Sequence, residues 1–426
     1  MREGNRDRGL MPILVHVDEL QPGMRLKRAI LRDKQVMLSC NTPLEDWQIN
    51  SLRRRFPDLT VQICDPILDE LVEFQDDSHD HEVSATVNRQ IGKLMHRVRE
   101  ILSSKTALEG SDISGLQRSV AEVMQYIMDN PAAAAVLTRF GTAGDYLQGH
   151  VGNVFYVSLL VGNTIRDYIF RERQRTVRIE TACVRYSMNL TPLALGCLFH
   201  DVGMLPIEHL YEKKGGLTQE ERRLIRDHPN RGVEMLPPKL DAVAKMVVRT
   251  HHENMDGSGY PQGVPVESLH VFSRVIRAAD ALDAATSRHI YKKARSAARV
   301  LWEMSSGPFK EHYDPPIVKI LMALVQPFPI GAKVKLNCER YGVVVRHNRK
   351  HPFRPTIIIA FDELGRKLKK RDLAPPIDLS KTNEVQIVEF EGDDLTCLSD
   401  GADGSVWGVP EITRDEKEDL FAYCYP

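Results

Sequence analysis

The chain has 426 residues, with 57 Lys and Arg against 58 Asp and Glu, a formal net charge of -1 and 42% hydrophobic residues. At about 100 to 200 residues per domain, this length predicts two to four domains. The apolar fraction is sufficient for buried cores, which excludes a disordered chain, a collagen and a small disulfide scaffold. The near-zero net charge removes the usual electrostatic argument for a nucleic-acid partner, so no DNA binding is expected and any phosphate site must be local.

Hydropathy and cysteine usage predict the compartment. No segment reaches the roughly 18 consecutive apolar residues of a membrane-spanning helix, and residues 1–9 are charged where a signal peptide would be apolar. The seven cysteines are odd in number, widely spaced and form no CxxC pair, which indicates reduced thiols. We therefore expect a cytoplasmic protein that makes no membrane contact.

A small α+β module is expected first, over residues 10–74. Ile13, Val15 and Val17 alternate with a period of two, and Pro22-Gly23 marks a turn. Residues 75–84 follow, where acidic residues and histidines are concentrated without apolar periodicity. This composition predicts a linker, with a metal-binding histidine tract as the less favoured alternative.

A predominantly α-helical domain is expected next, over residues 85–328. It opens with two apolar stripes at helical spacing, Val87, Ile91, Leu94, Val98 and Ile101 and then Leu116, Val120, Val123 and Ile127. Such stripes pack into a core, and a dimerising helix pair would carry the same pattern, so a homodimer stays an open alternative. After Pro329, β-branched and aromatic runs predict a small β domain over residues 329–392, followed by an acidic tail over residues 393–426.

The helical region contains imidazoles and carboxylates that are candidate metal ligands: His150, His200, Asp201, His228, His251, His252 and Asp280. Each taken alone is more often a satisfied polar residue than a ligand. Together, without a thiolate, they suit Mn, Fe, Co, Ni or Zn. Seven ligands exceed one tetrahedral site but suit two metals roughly 3.5–4 Å apart, the arrangement that stabilises a displacement at phosphorus. A hydrolase of phosphate esters is the leading hypothesis.

These residues also carry a resemblance. The segments His200-Asp201, His251-His252-Glu253 and Asp256-Gly257-Ser258-Gly259-Tyr260-Pro261 resemble the HD-GYP family of cyclic di-GMP phosphodiesterases. The similarity extends over residues 217–221, His228 with Gly232, residues 279–284 and Thr286-Ser287, and covers roughly residues 85–325. The N-terminal module is similar to one often joined to this domain, and the β domain to a C-terminal extension of some members.

The resemblance implies a multidomain fold in which an α-helical HD-type catalytic domain lies between the two small modules. It implies that the seven candidates bind two divalent ions, iron or manganese, with His200 and Asp201 catalytic and Asp201 bridging the ions. Some members hold a third ion through a Glu four residues before the first His, where this chain has Tyr146. The implied reaction is attack of a metal-bridged hydroxide on cyclic di-GMP, which yields linear pGpG, with GMP left open as a further product.

The Gly-rich loop is the next implied feature. By resemblance, Asp256, Gly257, Gly259, Tyr260 and Pro261 lie beside the site and support it, and the loop contacts a signalling-protein partner. A plain turn is the simpler interpretation of the same pattern.

Two departures from the family pattern affect substrate binding. The Lys that usually follows the His-Asp doublet and contacts phosphate is Met204 here. The loss of this charge-assisted contact is expected to lower binding or rate by roughly 10- to 100-fold. The family's later Arg contact is displaced to Arg288, so Arg288 and Lys292 are the candidate substrate contacts, with solvated basic residues at a helix end as the alternative. Hydrolysis of cyclic di-GMP, a catalytically weak or inactive cyclic di-GMP receptor, and hydrolysis of another nucleotide all stay open.

Overall fold

The computed structural model describes residues 12–26, 30–32, 35–39, 42–56, 59–64, 86, 89–100, 110–129, 146–176, 189–210, 213, 217–287 and 294–398. The predicted linker over residues 75–84 lies outside these ranges. No helix in the described part of the chain is both long and apolar enough to cross a membrane.

The N-terminal module is α+β, as predicted. It contains strands β1 (Pro12–His16), β2 (Ile30–Arg32), β3 (Gln35–Leu38) and β4 (Thr60–Cys64) and helix α1 (Asp46–Arg55). The first and last strands pair antiparallel, and β2 and β3 form a separate antiparallel pair. A capping box begins α1, in which the Gln48 side chain accepts from the Glu45 backbone N–H at 2.8 Å and the Glu45 carboxylate accepts from the Gln48 backbone.

The central region is helical and forms one large apolar core. Its helices are α2 (residues 89–100), α3 (Gly110–Asp129), α4 (Tyr146–Thr164), α5 (Arg166–Thr176), α6 (Thr191–Phe199), α7 (Gln219–Arg226), α8 (His228–Glu234), α9 (Ala242–Thr250), α10 (Val271–Thr286), α11 (Ala297–Ser305) and α12 (Pro315–Val325). The predicted stripes are buried along α2 and α3, with Val87 and Ile101 outside the described residues. Helices α4 and α6 are buried on nearly every side, which explains their apolar composition all round.

The C-terminal region is an antiparallel sheet in the order β10-β9-β5-β6-β7-β8. Its strands are β5 (Lys333–Leu336), β6 (Tyr341–Arg346), β7 (Thr356–Phe361), β8 (Ile377–Asp378), β9 (Ile387–Phe390) and β10 (Asp393–Asp394). The predicted start of the acidic tail at residue 393 is therefore too early, because Asp393 and Asp394 pair with β9 and Leu395 is fully buried. Acidic residues were misleading there: the Asp393 carboxylate accepts from the Ser296 N–H at the start of α11, 2.6 Å away.

The N-terminal module packs against this sheet. The Leu14 N–H donates to the Gly331 carbonyl at 3.2 Å, just before β5. Val343 and Ala360 of the sheet share one buried cluster with Val15 and Leu26 of the module. Modules that are separated by almost the whole chain thus bury a common apolar surface, which stabilises both.

Candidate metal centre

All seven predicted ligands meet at one place in the helical domain. His150 comes from α4, His200 and Asp201 from the end of α6, His228 from the start of α8, His251 and His252 from the end of α9, and Asp280 from α10. All except His252 are nearly completely buried, and the His252 side chain is 18% exposed. Five helices therefore supply one cluster.

Asp201 is shared between two possible ion positions. One set of ligand atoms within 4.8 Å of one another comprises Asp201, His228, His251 and His252, and a second comprises His150, His200 and Asp201. The two oxygens of Asp201 lie on different sides, with Oδ1 3.1 Å from Nε2 of His228 and Oδ2 3.7 Å from Nε2 of His150. A carboxylate placed in this way can ligate two ions at once.

Asp280 contacts one member of each set. Its Oδ1 lies 3.1 Å from Nε2 of His150, and its Oδ2 lies 3.4 Å from Nδ1 of His252. The second carboxylate therefore spans the cluster on the α10 side.

Three histidines are oriented by the backbone three residues before them. Nδ1 of His200 lies 2.7 Å from the Cys197 carbonyl oxygen. The same contact joins His228 to the Ile225 carbonyl at 2.6 Å and His251 to the Val248 carbonyl at 2.8 Å. A carbonyl only accepts, so each Nδ1 carries the proton and each Nε2 presents a lone pair to the cluster.

His150 is oriented by a side chain instead. Its Nδ1 lies 2.7 Å from Oδ2 of Asp283, and the Asn153 amide donates to Oδ1 of the same carboxylate at 2.6 Å. Asp283 lies one helical turn after Asp280, so one face of α10 supplies both a candidate ligand and the group that orients another candidate ligand. We did not assign this role to Asp283 from the sequence, although the i+3 spacing was a usable signal.

The arrangement fits cations. Nε2 of His228 lies 3.1 Å from Nε2 of His251, and Nε2 of His200 lies 3.4 Å from Nε2 of His150. The hydrogen bonds of their Nδ1 atoms leave all four Nε2 atoms as acceptors, and facing lone pairs repel unless a cation binds both. The observed donor set therefore matches metal binding by imidazole and carboxylate.

Burial and neighbouring charges favour neutral imidazoles and ionised carboxylates in the cluster. Burial lowers the pKa of His200, lowers that of His252 to about 3, and with neighbouring imidazoles holds that of His251 well below its usual value. Burial opposes ionisation of Asp201, but His200 and the hydrogen bond with His228 hold its carboxyl pKa well below the usual value. Neutral imidazoles around ionised carboxylates leave a buried negative charge, which divalent cations would neutralise.

The Gly-Tyr-Pro loop is anchored beside the cluster by Glu253. This carboxylate is fully buried and accepts from the backbone N–H of Gln262 at 2.8 Å and of Val264 at 3.2 Å. Gly259 passes so close to the preceding backbone that a Cβ there would lie 2.4 Å from the Asn254 nitrogen. A glycine is therefore required at this approach.

The loop residues differ in their distance from the ligands. Tyr260, which is joined to Pro261 by a cis peptide bond, has its ring centroid 4.5 Å from that of His252. Gly257 has a φ of 76° and makes the turn. Asp256 instead accepts from the Ser258 N–H at 3.0 Å and lies 3.6 Å from His312. The ring of Tyr260 thus directly contacts the side chain of a candidate ligand.

The predicted substrate contacts have a different outcome. Arg288 and Lys292 lie outside the described residues. Met204 is 1% exposed and packs in the apolar core, so it offers no polar contact. We did not single out two arginines from the sequence: Arg226, which lies against the ring of Tyr260, and Arg277, which lies against the ring of Tyr313.

Comparisons with known proteins agree with this architecture. Residues 173–317 match a family model described as an HD domain, and residues 333–391 match one described as a KOW domain associated with HD domains. Residues 173–317 of the chain are therefore similar to HD domains, and the C-terminal sheet lies in the region that is similar to the KOW domain. The His200-Asp201 doublet and the Gly259-Tyr260-Pro261 run, which carry the resemblance to the HD-GYP pattern, both lie within the residues that match the HD domain.

The curated relatives are named as phosphodiesterases of cyclic dinucleotides. The chain is 28% identical over 276 residues to the cyclic di-GMP phosphodiesterase PA4108 of Pseudomonas aeruginosa, covering 64% of this chain and 61% of that protein. It is 33% identical over 160 residues to a cyclic di-GMP phosphodiesterase of Vibrio cholerae, covering 34% of this chain and 32% of that one. A solved HDG"Y"P protein from Bdellovibrio bacteriovorus is 12% identical, with a TM-score of 0.43, covering 72% of this chain and 97% of that one. The chain spans less than two thirds of the length of both curated relatives.

Proposed function

We propose that this protein hydrolyses cyclic di-GMP to linear pGpG, and that it uses two divalent ions, iron or manganese, held by the seven ligands. The observation that carries the proposal is the shared carboxylate of Asp201, whose two oxygens face two separate sets of histidine nitrogens. The names of the curated relatives support the choice of substrate. Whether pGpG is cleaved further to GMP is answered by the product chromatography described below.

The residues divide into binding and orienting roles. When bound, two divalent ions supply an ionised water as nucleophile and stabilise the negative charge that develops at phosphorus. His200 and Asp201 lie at the centre of the cluster, and burial keeps His200 neutral so that its Nε2 stays a ligand. The carbonyls of Cys197, Ile225 and Val248 hold the other imidazole nitrogens, which fixes the ligand geometry before substrate arrives.

A second candidate substrate rests on a specific observation. The chain is 32% identical over 127 residues to a 3'3'-cGAMP-specific phosphodiesterase of Vibrio cholerae, covering 29% of this chain and 24% of that one. Ions held by these ligands would contact only phosphate oxygens of the substrate, so the metal centre by itself would not distinguish the two cyclic dinucleotides. The burial of Met204 favours a third outcome, a receptor that binds cyclic di-GMP and turns it over slowly.

Product chromatography tests these functions. The anaerobically purified protein, loaded with Mn or Fe, is incubated with cyclic di-GMP and separately with 3'3'-cGAMP, and its metal content is measured on the same sample. We expect pGpG to accumulate from cyclic di-GMP, and Asp201→Ala to abolish the product. Metal-loaded protein that leaves cyclic di-GMP intact would overturn the proposal, in favour of the receptor if the nucleotide binds and of another substrate if 3'3'-cGAMP is cleaved.

A further inference from the structure

A cyclic dinucleotide presents two phosphodiesters, and a binuclear centre acts on one of them at a time. The second phosphate, and the part of the first that faces away from the ions, require cations from the protein. The side chain of Met204 is apolar and buried, so it does not supply one. Other cations beside the cluster are therefore of interest.

Arg226 is one such cation. It is the last residue of α7, is exposed, and has its guanidinium carbon 4.7 Å from the ring centroid of Tyr260. It precedes the candidate ligand His228 by two residues, and the adjacent Ile225 carbonyl orients that imidazole. The Arg226 backbone is thereby fixed relative to the metal centre, while its side chain remains accessible to an anion.

Arg277 is the second cation. It is half-buried on α10, three residues before the candidate ligand Asp280, so the two residues lie on the same helix face. Its Nε donates to Oδ1 of Asn254 at 2.9 Å, and its guanidinium carbon lies 5.0 Å from the Tyr313 ring centroid. These two contacts hold a positive charge beside the cluster. One partner is an amide and the other an aromatic ring, so neither contact neutralises the charge.

Tyr260 brings the two arginines into relation with the cluster. Its ring lies against His252, and burial raises the pKa of its phenol, with the charges of Asp280 and Asp201 adding to the rise. Arg277 and Arg226 act on the same phenol in the opposite direction. The ring that contacts a candidate ligand is thus within electrostatic range of both guanidinium groups.

We propose that Arg226, which lies against the ring of Tyr260, and Arg277, which shares a face of α10 with Asp280, bind phosphate groups of the substrate and replace the missing Lys after the His-Asp doublet. This inference rests on the proposed function and names the residues by which that site holds its substrate. A guanidinium suits the role because its planar N–H groups match two phosphate oxygens at once.

Single substitutions test whether Arg226 and Arg277 bind phosphate. Arg226→Gln and Arg277→Gln are each expected to raise KM for cyclic di-GMP by about 10-fold or more, because each removes a charge-assisted contact. Metal content should stay at the wild-type value, since neither side chain is a ligand. Arg223→Gln is the matched control: it lies one turn before Arg226 on α7, is exposed, and pairs with Glu220 at 3.3 Å. An unchanged KM in both variants, or the same rise in the control, would overturn the proposal.

Arg277 also holds Asn254, so a purely structural role must be separated from phosphate binding. Arg277→Lys keeps the charge but loses the planar group that donates Nε to Asn254. If Arg277 binds phosphate, the Lys variant recovers part of the KM that Gln loses, and the salt dependence of KM is weaker in the Gln variant than in wild type. If Lys and Gln are equally impaired in kcat with an unchanged KM, Arg277 only positions the loop.

A binding measurement separates this inference from the proposed function. Calorimetry of the Mn-loaded protein with inorganic phosphate measures phosphate binding by the two arginines without requiring turnover. If phosphate binds more weakly to Arg226→Gln and Arg277→Gln but not to Arg223→Gln, the two arginines bind phosphate. This holds even if cyclic di-GMP is not cleaved. If the protein cleaves cyclic di-GMP but phosphate binds equally to all variants, the proposed hydrolysis is supported. Phosphate binding by Arg226 and Arg277 is then rejected.

Discussion

The Asp283 carboxylate lies 2.7 Å from Nδ1 of His150 and thereby turns the opposite nitrogen of that ring toward Asp280, 3.1 Å away. The two aspartates of α10 thus act on the two sides of one imidazole. A carboxylate in this position fixes the tautomer of a ligand and raises its basicity.

Replacing Asp283 with Asn should weaken metal binding by roughly 10- to 100-fold, because an orienting carboxylate is lost while all seven ligands remain. Chelator competition monitored by elemental analysis measures this change. Asp167→Asn, an exposed carboxylate on α5, is the control and should bind metal as wild type does. Equal metal affinity in the two variants would show that Asp283 does not orient His150.

Asp201→Ala should strip both ions, whereas His252→Ala should affect only the set that contains His252. The physical reason is that Asp201 contributes an oxygen to both sets. Elemental analysis of each purified variant gives the number of ions per chain, with two expected in wild type, and circular dichroism checks the fold. Three ions in wild type, or unchanged metal in Asp201→Ala, would contradict the ligand assignment.

The metal-free protein should lose stability as the pH falls below about 6.5. The pKa of His252 is about 3 in the folded state, so below its usual value the unfolded chain binds a proton that the folded chain does not. The stabilisation is therefore complete above the unfolded pKa, and at pH 5 about 2 kcal/mol of the free energy of unfolding is lost through this group. His200 and His251 shift in the same direction and add to the loss.

Urea denaturation of chelator-treated protein between pH 7.5 and pH 5 measures this slope. His252→Gln should show a shallower dependence than wild type, while His96→Gln, which removes an exposed histidine of α2, should not change it. A stability that is the same at both ends of this range would show that the buried imidazoles do take up protons in the folded state.

Glu253→Gln should destabilise the Gly-Tyr-Pro loop. The carboxylate accepts two backbone N–H groups, and an amide can accept one only by turning its own NH₂ group toward the other. A lost buried hydrogen bond of this kind costs about 1–3 kcal/mol. Denaturation curves measure the stability, and hydrogen exchange at Gln262 and Val264 localises the change. Glu234→Gln, exposed on α8, is the control, and equal curves for the two variants would contradict this role.

The periodic part of the fold was predictable from the sequence. The stripe Leu116, Val120, Val123 and Ile127 repeats at helical spacing, and all four residues are buried in α3. Spacing is a local property, so it predicts the buried face of a helix without knowledge of the neighbours. The sheet boundary was less predictable, because Asp393 and Asp394 look like an acidic tail until their partners on β9 and α11 are known.

The candidate ligands were also accessible from the sequence, through residue type and through resemblance to a known family. The groups that orient those ligands were not. Glu253 looks like one more acidic residue until the N–H groups of Gln262 and Val264 are seen to converge on it. A hydrogen bond between residues that are far apart in the chain leaves no periodic signal.

By itself the sequence determined which side chains can bind metal and which helix faces are buried, because residue chemistry and local spacing fix both. Only the tertiary structure decided that Asp201 faces two sets of histidines and that Asp283 orients His150. It placed Arg226 against Tyr260 and Arg277 against Tyr313. It also decided that Leu14 pairs beside β5, far along the chain. These contacts depend on how separate helices and strands pack, and burial of apolar surface, which drives that packing, does not specify its partners in the local sequence.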